Sequence, residues 1–125
     1  MKRNLSRLSD EALRDLFETL AIKQGDAWAP ENPKTLWRYE KFYFEIRDVA
    51  LELQSRPGDA RRILIPLLDH ENWQVRLKTG TYVFALAPER ARRTLEWLVT
   101  TREGPFCLEA GSFLNAVDRG IYVPT

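Results

Sequence analysis

The sequence predicts an all-α domain, and within that class a short α-solenoid of about six helices, on three observations. Apolar residues recur at i, i+3, i+4 and i+7 along most of the chain, no segment alternates apolar and polar residues as a half-buried strand does, and one stretch repeats at a fixed interval. The 125 residues, 44% apolar and 30% charged, suit one hydrophobic core, so a single domain over 1–125 is expected.

The first element is a capping helix within 1–30. Ser9 precedes Asp10 and Glu11, an N-cap followed by acids that match the helix dipole; Leu13, Leu16, Phe17 and Leu20 form its apolar stripe, and Gly25 is expected to close it. A long second helix occupies 31–56, with Asn32 as cap, Pro33 at its first position, and Phe42, Ile46, Val49, Ala50 and Leu53 on one face before Pro57-Gly58 breaks the chain. A short third helix runs from Asp59 to about Leu68, where Pro66 removes an amide donor and predicts a kink or a tightened turn. Asn72 caps a fourth, expected to end before Pro88. Pro88-Glu89 open a fifth carrying Ala91, Leu95, Leu98 and Val99, and Gly104-Pro105 start a sixth that stops at Gly120, with 119–125 as a tail.

The repeat sets segment 57–87 over 88–118. Pro57, Ala60, Arg61, Arg62, Leu64, Leu67, Leu77, Gly80 and Ala85 meet identical residues at 88, 91, 92, 93, 95, 98, 108, 111 and 116, where composition alone predicts roughly two identities. The stripe of the second helix extends the register, since Phe42, Ile46, Val49, Ala50 and Leu53 stand in for Val75, Thr79, Tyr82, Val83 and Leu86. One helical pair cannot bury its apolar surface alone, so the pairs are expected to stack into a short right-handed superhelix.

Leu67-Leu68-Asp69 followed by Val75-Arg76-Leu77 resembles a HEAT repeat, in which an Asp and an Arg tie neighbouring repeats together. The run Arg61-Arg62-Ile63-Leu64-Ile65-Pro66-Leu67-Leu68-Asp69-His70, then Val75-Arg76-Leu77 and Ala87-Pro88-Glu89-Arg90-Ala91, is similar to a bacterial family known as domain of unknown function number twenty-nineteen. The resemblance covers about 36–120 and implies a HEAT-like α-α superhelix with no assigned chemistry. Residues 1–35 lie outside it, as a cap or a separate binding element.

Composition narrows the function. With 19 basic against 18 acidic residues there is no cationic excess for phosphates, although a local patch remains open. Cys107 stands alone, so no disulfide framework exists within the chain; this and the polar, mixed-charge stretch Met1–Asp10, which has no signal-peptide or membrane-spanning character, lead us to expect a cytoplasmic protein. His70 has no nearby Cys or His as co-ligand, so neither a metal nor another cofactor is expected. No Gly-rich phosphate loop or nucleophile elbow occurs, and Glu45 with Asp48, one turn apart, reads as two ionised surface acids; a non-enzyme is expected.

What remains is recognition. The fourth helix is apolar nearly all round, with Trp73, Leu77 and Phe84 behind its main stripe, leaving Gln74, Lys78 and Thr81 as a polar sector. The repeat offsets carry that sector to Lys41, Glu45 and Asp48 and to Glu109 and Ser112, and these eight residues are expected to line a concave ridge that binds another protein. Trp28, in a loop, and Trp73 are candidate anchors, while Trp37 and Phe44 are expected to pack within the stack. Occlusion of a partner's surface without chemistry is, by fold-level analogy, the work of a small bacterial immunity or antitoxin-type protein. The alternative is nucleic-acid binding through Arg61, Arg62, Arg90, Arg92 and Arg93, joined by Arg56. Positive charge near helix starts opposes the dipole, so these residues call for anionic partners, either carboxylates of the chain such as Asp59, Glu89 and Glu96 or external phosphates.

Overall fold

The computed structural model describes residues 4–29 and 31–125; of the expected capping segment 1–30, the first three residues and Pro30 lie outside the described residues. Every regular element among them is helical: a 3-10 turn Leu5–Arg7, α1 Asp10–Asp26, α2 Pro33–Ser55, a 3-10 helix Ala60–Asp69, α3 Trp73–Tyr82, α4 Pro88–Thr101 and α5 Gly104–Asp118. The chain forms two compact units, residues 1–63 and 64–125.

In the first unit α1 and α2 pack together. Ser9 Oγ accepts from Ala12 N at 3.0 Å and starts α1 as its spacing predicts. Gly25 does not end the helix. It lies in the last turn, which continues to Asp26 because the Ala27 amide still finds carbonyls at Lys23 and Gln24. Asn32 Oδ1 accepts from Lys34 N, and Pro33 takes the first position of α2, where an amide hydrogen has no helical partner anyway. The buried faces are Leu13, Phe17, Leu20 and Ala21 on α1 and Ile46, Val49, Ala50 and Leu53 on α2, each large side chain contributing about 1.5–3 kcal/mol of burial. Gln24, fully buried among them, donates from Nε2 to Tyr39 O.

Between Pro57 and His70 the chain tightens. Gly58 (φ 74) and Asp59 (φ 56) both take left-handed backbone, and the ten residues after them wind as 3-10 rather than α-helix. Such runs seldom exceed four residues; here Pro66 forbids the α bond to Arg62 O and its ring would press on that carbonyl.

The second unit is built from α3, α4 and α5, with α4 packed on both others. Asn72 Oδ1 accepts from Gln74 N and Val75 N, capping α3 as expected. The helix stops earlier than its apolar pattern suggests, at Tyr82, and Val83–Ala87 form turns in which both Leu86 N and Ala87 N donate to Val83 O. Gly80 is required by packing: a Cβ there would stand 2.8 Å from Leu95 Cδ2. The interval of 31 places the 3-10 helix over α4 and α3 over α5, but the equivalence is uneven. Leu77 is fully buried whereas its counterpart Leu108 is 72% exposed, and Gly111, the counterpart of Gly80, has only Val99 Cγ2 at 3.8 Å.

Candidate protein-interaction surfaces

The first unit holds a cleft organised by Arg56, just after α2. Its guanidinium donates to Asp10 Oδ1 (2.7 Å), Glu52 Oε2 (3.0 Å) and the carbonyls of Leu5 (3.1 Å) and Leu8 (2.7 Å), so the Leu5–Arg7 turn is tied to the start of α1 and the end of α2. The hydrogen bonds to Asp10 and then Glu52 raise its pKa further. Leu16, Leu20 and Val49 form the floor of a space of about 590 Å³, rimmed by Ser6, Lys41, Glu45, Asp48 and Glu52. Glu45 lies 3.7 Å from Lys41 Nζ and Asp48 3.8 Å from Arg47, ion pairs too long for hydrogen bonds that leave carboxylate oxygens available to an incoming cation. Three of the eight ridge residues, Lys41, Glu45 and Asp48, thus line one cavity.

The rest of the expected ridge differs. Gln74 and Lys78 are buried, at 1% and 3% exposure, so α3 offers no open polar sector. Packing against α4 and α5 encloses that side of the helix, and Lys78 Nζ donates to Glu109 Oε2 at 2.8 Å within the unit. Thr81, half-buried, donates to Lys78 O; Ser112 is exposed. Trp73 is not an open anchor either, because its ring meets Trp97 and Phe106 edge-on at 5.4 and 5.7 Å. Trp28 is 38% exposed with its ring edge-on to Tyr39.

Most of the arginine strip is taken up by carboxylates of the chain. Arg61 is buried and bonded to Asp59 through Nε and Nη2 (2.9 and 2.6 Å), Arg92 reaches Asp118 at 2.7 Å, and Arg90 lies 3.4 Å from Asp69. The Arg61 and Arg92 hydrogen bonds hold the Asp59 and Asp118 carboxyls below their ordinary range. Arg62 and Arg93 are exposed, and Arg93 joins Arg76, Arg90 and Asp69 around a small cleft of about 220 Å³ beside Trp97, over whose ring the Arg76 guanidinium sits at 4.8 Å. His70 takes a local role, its Nδ1 accepting from Asn72 N while its carbonyl accepts from Arg76 Nε. No group of three metal-ligating side chains occurs among the described residues, and none of their helices is long and apolar enough to cross a membrane.

Two features escaped the sequence reading. One is the Arg56 clasp, whose partners lie up to 51 residues away and leave no periodic trace. The other is the outer face of α2: Trp37 and Phe44, expected inside a stack, are 64% and 42% exposed, and Leu51 is 51% exposed. A signal was present, since these three stand seven apart and opposite Ile46, Val49 and Leu53 on a helical wheel.

The described residues define a small protein whose regular elements are all helical. The chain belongs to the family described as domain of unknown function (DUF2019), whose model matches residues 11–118. The match begins within the first turn of α1, so this helix is part of the family's fold rather than an element outside it. The chain is also similar to a solved structure, that of the protein RPA1889 from Rhodopseudomonas palustris CGA009, with 31% identity, a TM-score of 0.90, and coverage of 99% of this chain and 100% of that one. No curated protein matches the chain.

Proposed function

We propose that this chain is a non-catalytic, HEAT-like helical domain that binds another protein, and that the cleft of the first unit receives it. The observation that carries this reading is the pairing of an apolar floor, Leu16, Leu20 and Val49, with a rim holding Glu45 and Asp48 in loose ion pairs. That chemistry suits a protein segment that inserts an apolar side chain and sets Lys or Arg against the carboxylates. A stoichiometric inhibitor of the immunity or antitoxin type, covering a basic surface of its target, fits such a site. The superhelical part of the reading rests on the repeat interval and on α3 and α5 occupying equivalent positions within it.

Nucleic-acid binding through the arginines has less support, because Arg61, Arg90 and Arg92 already answer Asp59, Asp69 and Asp118.

Quantitative affinity capture from lysate of the source cell separates the two. A partner recovered with the parent chain should be lost with Ser6→Trp, which fills the cleft, and with Glu45→Lys, which reverses its rim, while Arg62→Glu/Arg93→Glu retains it. Equal recovery by all forms, or duplex DNA binding abolished by the arginine changes, would refute the proposal.

A further inference from the structure

The outer face of α2 is apolar where a single helix pair has no use for it. Trp37, Phe44 and Leu51 form a stripe at heptad spacing, drifting only about 20° per heptad, and it faces away from the buried Ile46, Val49 and Leu53. Charges flank it in a definite order. Glu40 and Arg47 lie along one side, Lys41 and Asp48 along the other, all exposed. Arg47 lies over the Phe44 ring at 4.9 Å and Lys41 over Trp37 at 5.9 Å, so the cations cover part of the stripe and are placed at its borders.

We propose that this face binds a second copy of the chain, α2 against α2 in antiparallel orientation with Phe44 at the two-fold axis. The sequence is self-complementary in that arrangement. A two-fold perpendicular to the helices brings each flank against the same flank of its mate, so Glu40 meets the mate's Arg47 and Lys41 the mate's Asp48, each pair formed twice. Along the seam Trp37 faces Leu51, a large residue against a smaller one at both ends, which keeps the axes evenly spaced; a parallel pair would oppose Trp37 to Trp37. From Trp37 to Leu51 the seam is about 21 Å long. Two heptads bury less than the roughly 800 Å² per partner of a standard interface, so the dimer is weak and concentration-dependent. Glu45 and Ser6 lie outside the seam, whereas Lys41 and Asp48 border both the seam and the cleft; the inference stands on Trp37, Phe44, Leu51 and the Glu40–Arg47 flank and does not depend on the partner reading of the cleft.

Sedimentation equilibrium over roughly 10 to 500 µM, where weak interfaces of this size report, tests it on the full chain. The mass should rise with concentration from 14.6 kDa toward twice that value. Trp37→Asp and Glu40→Lys should each hold it at the monomer, and Glu40→Lys/Arg47→Glu should restore the dimer, because the reversed pair matches again only when antiparallel. The changed residues are exposed, and an unaltered far-ultraviolet circular dichroism spectrum confirms that each variant folds. A monomer throughout, a dimer indifferent to Trp37→Asp, or a double variant that stays monomeric would each overturn the proposal.

Discussion

Lys78 and Glu109 show how burial assigns unequal weight to the two ends of one ion pair. The lysine side chain is 4% exposed and the glutamate 37%, so the carboxylate can be rehydrated after its partner is removed and the ammonium cannot. Glu109→Ala should cost roughly 1–3 kcal/mol of unfolding free energy, and Lys78→Met clearly less, in paired urea titrations. Asp59 and Asp118 add a pH dependence. Each is held below its ordinary pKa of 3.8, first by a hydrogen bond from Arg61 or Arg92 respectively. A depressed carboxyl contributes stability above its unfolded pKa and loses it as pH falls through the folded one. The melting temperature of the parent chain should therefore hold down to about pH 4 and drop below it, while Asp59→Asn/Asp118→Asn starts lower and falls along a shallower acid limb.

At the scale of the element, the two repeat-related glycines carry different loads. Gly80→Ala drives a Cβ to 2.8 Å from Leu95 Cδ2 and should cost about 1–3 kcal/mol, whereas Gly111→Ala meets only Val99 at 3.8 Å and should stabilise α5 by roughly 0.5–1 kcal/mol. Thermal melts of the two single variants distinguish these signs. The same pair marks how far the fold can be read from the chain. Caps Ser9, Asn32 and Asn72 and breakers Pro57-Gly58 and Pro88 located the helices, because capping and φ restriction act within a few residues. Periodicity also picked out Leu13, Phe17, Ile46 and Leu95 as buried. It failed at Trp37, an apolar residue at heptad spacing that has no covering element, and identity at the repeat interval does not carry the burial of Leu77 over to Leu108.

For the whole chain, a net charge of +1 describes the surfaces poorly. Arginines that looked like a basic strip are largely matched by nearby acids, and the predicted polar ridge loses Gln74 and Lys78 to the interior while Lys41, Glu45 and Asp48 gather at the cleft. That cleft could not be foreseen, because its wall is a three-residue turn held by Arg56, and long-range contacts to carbonyls depend on backbone positions rather than on residue type. Arg56→Ala should release the turn and raise amide exchange at Leu5–Leu8 with little change in α5, read by hydrogen–deuterium exchange of the isolated chain. The cleft as the receiving site is tested most directly by the same exchange measurement on the chain with its captured protein partner, against the chain alone at equal concentration. Protection should gather at Leu5–Arg7, Leu16–Leu20 and Lys41–Glu52; protection confined to Asp69–Trp97, around the arginine cleft, with the first unit unchanged, would contradict it.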